Sequence, residues 1–192
     1  MKKEVMEIRE NLELKLNPAR YEHSLSVSFI CIALAMKYQY DLEKAEMAGL
    51  LHDCAKQYDN QTIIEICNKQ GIELTKGELK APAIIHAKLG AYMAQNEYQI
   101  NDPEILSAIA CHTTGKPEMK LLDKILYIAD FIEPRRKQFP NLQELRSLAF
   151  EDLDETLFQI MEMTLNYLEK STGYADYMTK EAYEYYKRVR FS

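Results

Sequence analysis

The chain has 192 residues, a hydrophobic fraction of 47% and a formal net charge of −6. That length suits one domain with a sizeable core, and the acidic balance argues against a protein whose main business is gripping a nucleic-acid backbone. The six glycines and six prolines are scattered, with no Ser/Gly-rich linker, internal repeat or low-complexity run.

The apolar pattern is helical nearly throughout. Val5, Ile8, Leu12 and Leu16 recur at helical spacing and mark one face. Asn17-Pro18 restarts the chain as N-cap and first helical residue. The helix that follows, to about Tyr38, is expected to present Leu25, Phe29, Ile32 and Met36 as its apolar stripe. Asp41 caps the next helix, expected to end near Lys56, and Asp59 caps another, stopped by Gly71. Pro82 opens a helix through His86 to about Asn96, and Asp102-Pro103 repeats the cap-then-proline start of a helix ending before Gly115. Met119 to Glu133 is strongly apolar and is halted by Pro134. Asn141, Asp152 and a segment after Gly173 start the last helices. No strand alternation of useful length occurs, so the expected fold class is all-α, a bundle of about nine or ten helices.

The cysteines Cys31, Cys54, Cys67 and Cys111 form no C-x-x-C pair and sit in apolar helical settings, as small buried hydrophobes in a reducing compartment do. The start, MKKEVMEIRENLELKL, has charges every few residues and no apolar signal segment. The longest apolar stretches fall short of a membrane span. A cytoplasmic protein with no membrane partner is expected.

The chemistry lies in the histidines His23, His52, His86 and His112, each in an apolar helical setting. His52 is followed directly by Asp53 in LLHDCAK, where the preceding apolar run implies deep burial and a buried carboxylate needs a partner or a metal. Neighbouring helix positions point about 100° apart, so both can reach one cluster only from the inside of a bundle. Asp130, in the apolar helix LLDKILYIADFIEP, poses the same problem. Arg20 precedes His23 by three residues, and Lys56 follows Asp53 by three, which places each cation on the face of a presumed ligand. A cation beside a metal cluster implies an anion between them, and phosphate is the natural candidate. Mixed imidazole and carboxylate donors suit iron, manganese or zinc, and a Cys-rich structural zinc site is excluded by the spacings. Cys54 and Cys111 are expected to turn away from the shared face.

The order Arg20-Tyr21-Glu22-His23, His52-Asp53-Cys54-Ala55-Lys56, His86, His112, Asp130 resembles the HD superfamily of metal-dependent phosphohydrolases. The words IIHAKLGA, CHTTGKP and YIADFIEPRR are similar to the YqeK family, whose members cleave diadenosine tetraphosphate symmetrically to two ADP. The resemblance implies a single HD-type domain over 1–192, with a core at about 18–165 and a C-terminal helical extension at 166–192. It implies one metal on His23, His52, Asp53 and Asp130, and a second on His86 and His112 with Asp53 bridging. The cofactor would be two divalent or mixed-valent ions, iron first, manganese or zinc as alternatives. Arg20, Lys56, Thr113 and Arg136 align with segments that line the nucleotide site, and Asp53 and Lys56 would be the catalytic pair.

Two cations a few ångströms apart would make hydroxide available near neutral pH, and the metals with Lys56 and an arginine would stabilise charge on the phosphoryl oxygens. A nucleoside diphosphate leaves readily, so no separate general acid is required. Competing readings keep the site but change the substrate to another nucleotide or a phosphodiester, or make the protein a nucleotide-binding sensor with little turnover. The tyrosines Tyr174, Tyr177, Tyr183, Tyr185 and Tyr186 could stack on a base, though packing onto the bundle or a dimer contact is the plainer role. The partner is then a small nucleotide, with no nucleic acid, and a homodimer is compatible with this pattern.

Overall fold

The computed structural model describes residues 3–136, 139–171 and 173–190, so both ends of the 1–192 span lie outside the described residues. Val5, Ile8, Leu12 and Leu16 fall on the buried side of α1 (Lys3–Lys15) and the turn after it. Asn17 Oδ1 accepts the Arg20 N–H at 3.0 Å and Pro18 takes the first helical position, which starts α2 (Pro18–Lys37). Asp41 caps α3 (Leu42–Leu51) and Asp59 caps α4 (Asn60–Lys69), which ends at Gly71 with φ +69°. After α5 (Lys76–Lys80), a 3-10 turn at Pro82–Ile84 leads into α6 (Ile85–Asn96). Then follow α7 (Pro103–Cys111), α8 (Leu121–Ile132), α9 (Leu142–Leu148), α10 (Leu153–Ser171) and α11 (Tyr177–Arg190). The described residues contain helices and no strand, eleven α-helices where about nine or ten were expected. The extra element, α5, is held by a capping box between Thr75 and Glu78 rather than by an apolar stripe. No described helix is long and apolar enough to cross a membrane.

Two expectations need correcting. In α2 the buried residues are Ser24, Val27, Ser28, Cys31, Leu34 and Ala35, while Phe29 and Met36 are 54% and 61% exposed. The reason is close packing against α3. A Cβ on Gly49 would stand 2.5 Å from Ser28 Cα, so the helices meet through small residues and the large ones point outward. The helix begun by Asp41 also stops at Leu51 rather than near Lys56. Asp53 adopts φ −109°, ψ 18°, and Cys54–Gln57 form a 3-10 turn. The backbone unwinds at the His-Asp pair, which lets both side chains turn to the same side, something a continuous helix forbids.

Around this α2–α3 pair, α8 packs against both helices, α7 against α3, α6 and α8, and α10 against α8 and α11. The ends of α3 and α7, the first turn of α6, the second turn of α2 and the last turn of α8 therefore converge on one buried point. Tyr183 and Tyr186 of α11 are buried, with Tyr183 stacked on Phe158 and Tyr186 Oη accepting the Met119 N–H at 2.8 Å. That half of the tyrosine helix packs onto the bundle.

Candidate metal centre

Three of the histidines are locked by the same local device. His52 Nδ1 lies 2.7 Å from Gly49 O, His86 Nδ1 2.6 Å from Ala83 O, and His112 Nδ1 2.7 Å from Ile109 O, each the carbonyl three residues back. A carbonyl only accepts, so each Nδ1 carries the proton and each Nε2 presents its lone pair inward. Burial pushes the His52 pKa down to about 4 and lowers that of His86, so both imidazoles are neutral donors to a metal. His23 differs: its Nδ1 faces Glu133 Oε1 at 3.5 Å.

The inward nitrogens pair. His23 Nε2 and His52 Nε2 lie 3.2 Å apart, and so do His86 Nε2 and His112 Nε2. Asp130 Oδ1 joins the first pair, 3.1 Å from His23 Nε2. Asp53 stands between the pairs and gives one oxygen to each. Its Oδ2 is 3.5 Å from His52 and 3.7 Å from His23, and its Oδ1 is 3.1 Å from His86 and 3.7 Å from His112. Burial alone would raise both carboxyl pKa values. For Asp53 the facing His52, His112 and His86 overcome it, and for Asp130 the facing His23 and His52 do, so both carboxyls sit below their usual range.

In the His86–His112 pair, where both Nδ1 protons are fixed, lone pairs set nitrogen to nitrogen at this distance repel unless a positive charge lies between them. Carboxylates adjoin both pairs and no thiolate competes, so these residues fit divalent cations. The triads His23–His52–Asp130 and His52–Asp53–His112 each keep their donor atoms within 4.8 Å of one another. Cys54 points its thiol at Gly90 O and Cys111 at Ala108 O, and burial raises both thiol pKa values, that of Cys111 to about 12.

The centre opens on one side. Asp130 and His23 keep 24% and 14% of their side chains exposed, against 4% for Asp53 and 0% for His52. A cavity of about 840 Å³ lies on that side, lined among others by Arg20, His23, Glu133, Arg135 and Arg136. Arg20 Nη1 reaches in to Asp53 Oδ2 at 2.5 Å. Arg136 lines the cavity wall with its guanidinium over Phe131. Lys56 stands on the 3-10 turn rather than on the face of α3. It forms no ion pair among the described residues, yet it lies within the fields of Asp53 and Asp130, while burial lowers its pKa. Thr113, half-buried after His112, has no side-chain partner among the described residues.

Sequence reasoning missed Glu133 and Arg135. Glu133 is 3% exposed and follows Asp130 by three positions, so it projects from the same face of α8. That spacing was the available signal.

The HD domain family model matches residues 20–135. The chain belongs to the HD domain family. A Bacillus subtilis protein named symmetrical bis(5'-nucleosyl)-tetraphosphatase is 38% identical over 156 residues, 81% of this chain and 83% of its own length. A Halalkalibacterium halodurans protein of the same name is 40% identical over 159 residues, 81% of this chain and 82% of its own length. A crystal structure from Clostridium acetobutylicum, described as an HD superfamily hydrolase involved in NAD metabolism, matches with a TM-score of 0.92 at 40% identity, covering 96% of this chain and 97% of that one. HD-domain hydrolases bind divalent metals, and the chain's His/Asp groups suit that chemistry.

Proposed function

We propose that this chain hydrolyses diadenosine tetraphosphate, and related dinucleoside tetraphosphates, symmetrically to two nucleoside diphosphates. The similarity to the named tetraphosphatases supports the substrate. The observation that carries the chemistry is Asp53, set between two imidazole pairs with one oxygen toward each. His23, His52, Asp53 and Asp130 would hold one ion, and His86 and His112 the second, with Asp53 shared. When bound, the two cations supply Lewis acidity and an activated water. Iron is the proposed metal, and the mixed imidazole–carboxylate donors suit it.

The chain's own residues do the rest. A tetraphosphate bridge carries several negative charges, and Arg20, Arg135 and Arg136 line the cavity where it would lie. Arg20 pairs with Asp53 and Lys56 lies within the field of the same carboxylate, and the two would take charge on the phosphoryl group under attack. All of the histidines face the metal centre, leaving none as a general acid; the departing nucleoside diphosphate needs none. Thr113 is assigned a nucleotide contact by its position after His112. A small nucleotide as partner, no nucleic acid, and a cytoplasmic setting complete the proposal.

Incubation with diadenosine tetraphosphate, followed by separation of products, tests the reading. ADP as sole product is expected. ATP with AMP, or no turnover while a simple nucleotide or cyclic dinucleotide is cleaved, contradicts it.

A further inference from the structure

His23 is the one histidine of the centre whose Nδ1 is not given to a carbonyl of its own helical turn; it faces the Glu133 carboxylate instead. The other oxygen of that carboxylate, Oε2, accepts the Arg135 N–H at 2.7 Å. Glu133 is therefore shared between the metal centre and the turn that carries Arg135 and Arg136 into the cavity. The turn is anchored at the same residue by its backbone, since Glu133 O accepts from Arg136 N at 3.1 Å and from Arg146 Nη2 at 2.8 Å. Arg146 Nε also donates to Ile132 O, which fixes the end of α8. Glu133 is 3% exposed and ends α8 immediately before Pro134, so its side chain has little freedom to serve one contact without the other.

We infer that Glu133 is a positioning residue that couples the His23 metal site to the phosphate-binding arginine turn. Its negative charge fixes the His23 proton on Nδ1 and raises the basicity of Nε2, as a carboxylate behind a metal-bound imidazole does. Its second oxygen sets the backbone of the turn, and with it the places of both arginines. The inference rests on the proposed metal centre, but its test does not require the proposed substrate.

Glu133→Gln separates the two roles. The amide oxygen can still accept the Arg135 N–H. Its NH₂ group then faces His23 Nδ1 and, as a donor, favours the tautomer whose proton is on Nε2, where the metal should bind. Metal affinity, measured by titrating stripped protein with Mn²⁺, should fall about 10–100-fold at one site in E133Q. Binding of inorganic pyrophosphate at saturating metal, read by calorimetry, should stay near wild type. Glu133→Ala should weaken both. If E133A does not fold, Glu133→Asp, which keeps the charge but is a methylene too short to span both contacts, replaces it and should likewise weaken pyrophosphate binding. Wild-type metal affinity in E133Q overturns the first role, and wild-type pyrophosphate binding in the second variant overturns the coupling. Failure of the wild-type protein to cleave dinucleoside tetraphosphates would sink the substrate proposal and leave both readings intact.

Discussion

His86 and His112 face each other Nε2 to Nε2 across 3.2 Å, with both Nδ1 atoms committed to backbone carbonyls. Two buried acceptors in that arrangement repel each other unless a cation lies between them. Stripping the metal should therefore cost stability as well as activity. With free metal at about 100 times its dissociation constant, the bound ion contributes roughly 2.7 kcal/mol, or about 5–10 °C for a domain of this size. Thermal melts with and without chelator read this directly, and equal midpoints would count against a preformed site.

Asp53 serves both imidazole pairs, so removing its charge should empty more than one position. Asp53→Asn is expected to bring metal content below two ions per chain and to lower kcat/KM by about 10³-fold or more, the loss of several kcal/mol of transition-state stabilisation. Elemental analysis beside kinetics checks both. Full metal content in the variant would place the bridge elsewhere.

Lys56 and Arg136 should behave differently from the ligands. Replacing either with Ala is expected to lower kcat/KM by about 10²-fold with metal content unchanged. A loss of metal instead would make the residue part of the centre's support.

Which features of this molecule are legible in its sequence follows from how local their causes are. Asn17, Asp41, Asp59 and Asp102 accept N–H groups two or three residues ahead, so the helix starts could be read from the chain alone. The buried face of α2 could not, because it is chosen by the close approach of α3 at Gly49, and small residues such as Ser24 and Ser28 carry no hydrophobic signal. The end of α3 at Leu51 was hidden for a related reason: nothing in LLHDCAK breaks a helix, and the unwinding serves the two side chains after it. The candidate donors were visible as chemistry that made no sense singly, and the structure brings them together. Glu133 was hidden because a carboxylate before a proline at a helix end has an ordinary reading, and only its distance to His23 removes it.

Gly49 is a structural prediction with a functional consequence. In Gly49→Ala the new Cβ meets Ser28 Cα at 2.5 Å and Ser28 N at 2.9 Å, backbone atoms that cannot swing aside. A loss of about 1–3 kcal/mol is expected from overpacking. Since Gly49 O also holds His52 Nδ1, metal affinity should fall with it. A variant that melts and binds metal as wild type would show that α2 and α3 are less closely apposed.

Tyr186→Phe removes the acceptor of the buried Met119 N–H. A cost of about 1–3 kcal/mol, with KM unchanged, is expected if α11 is a packing element on this side. A raised KM with unaltered melting would instead place Tyr186 at the nucleotide.

The most direct measurement joins metal content to product in one preparation. Protein purified anaerobically is assayed for metal per chain and for products from diadenosine tetraphosphate, before chelation, after it, and after iron is restored. Two ions per chain, ADP as sole product, loss of turnover on chelation and its return with iron are expected. One ion per chain with full turnover, or ADP release that survives complete removal of metal, would contradict a centre in which Asp53 joins two metal sites.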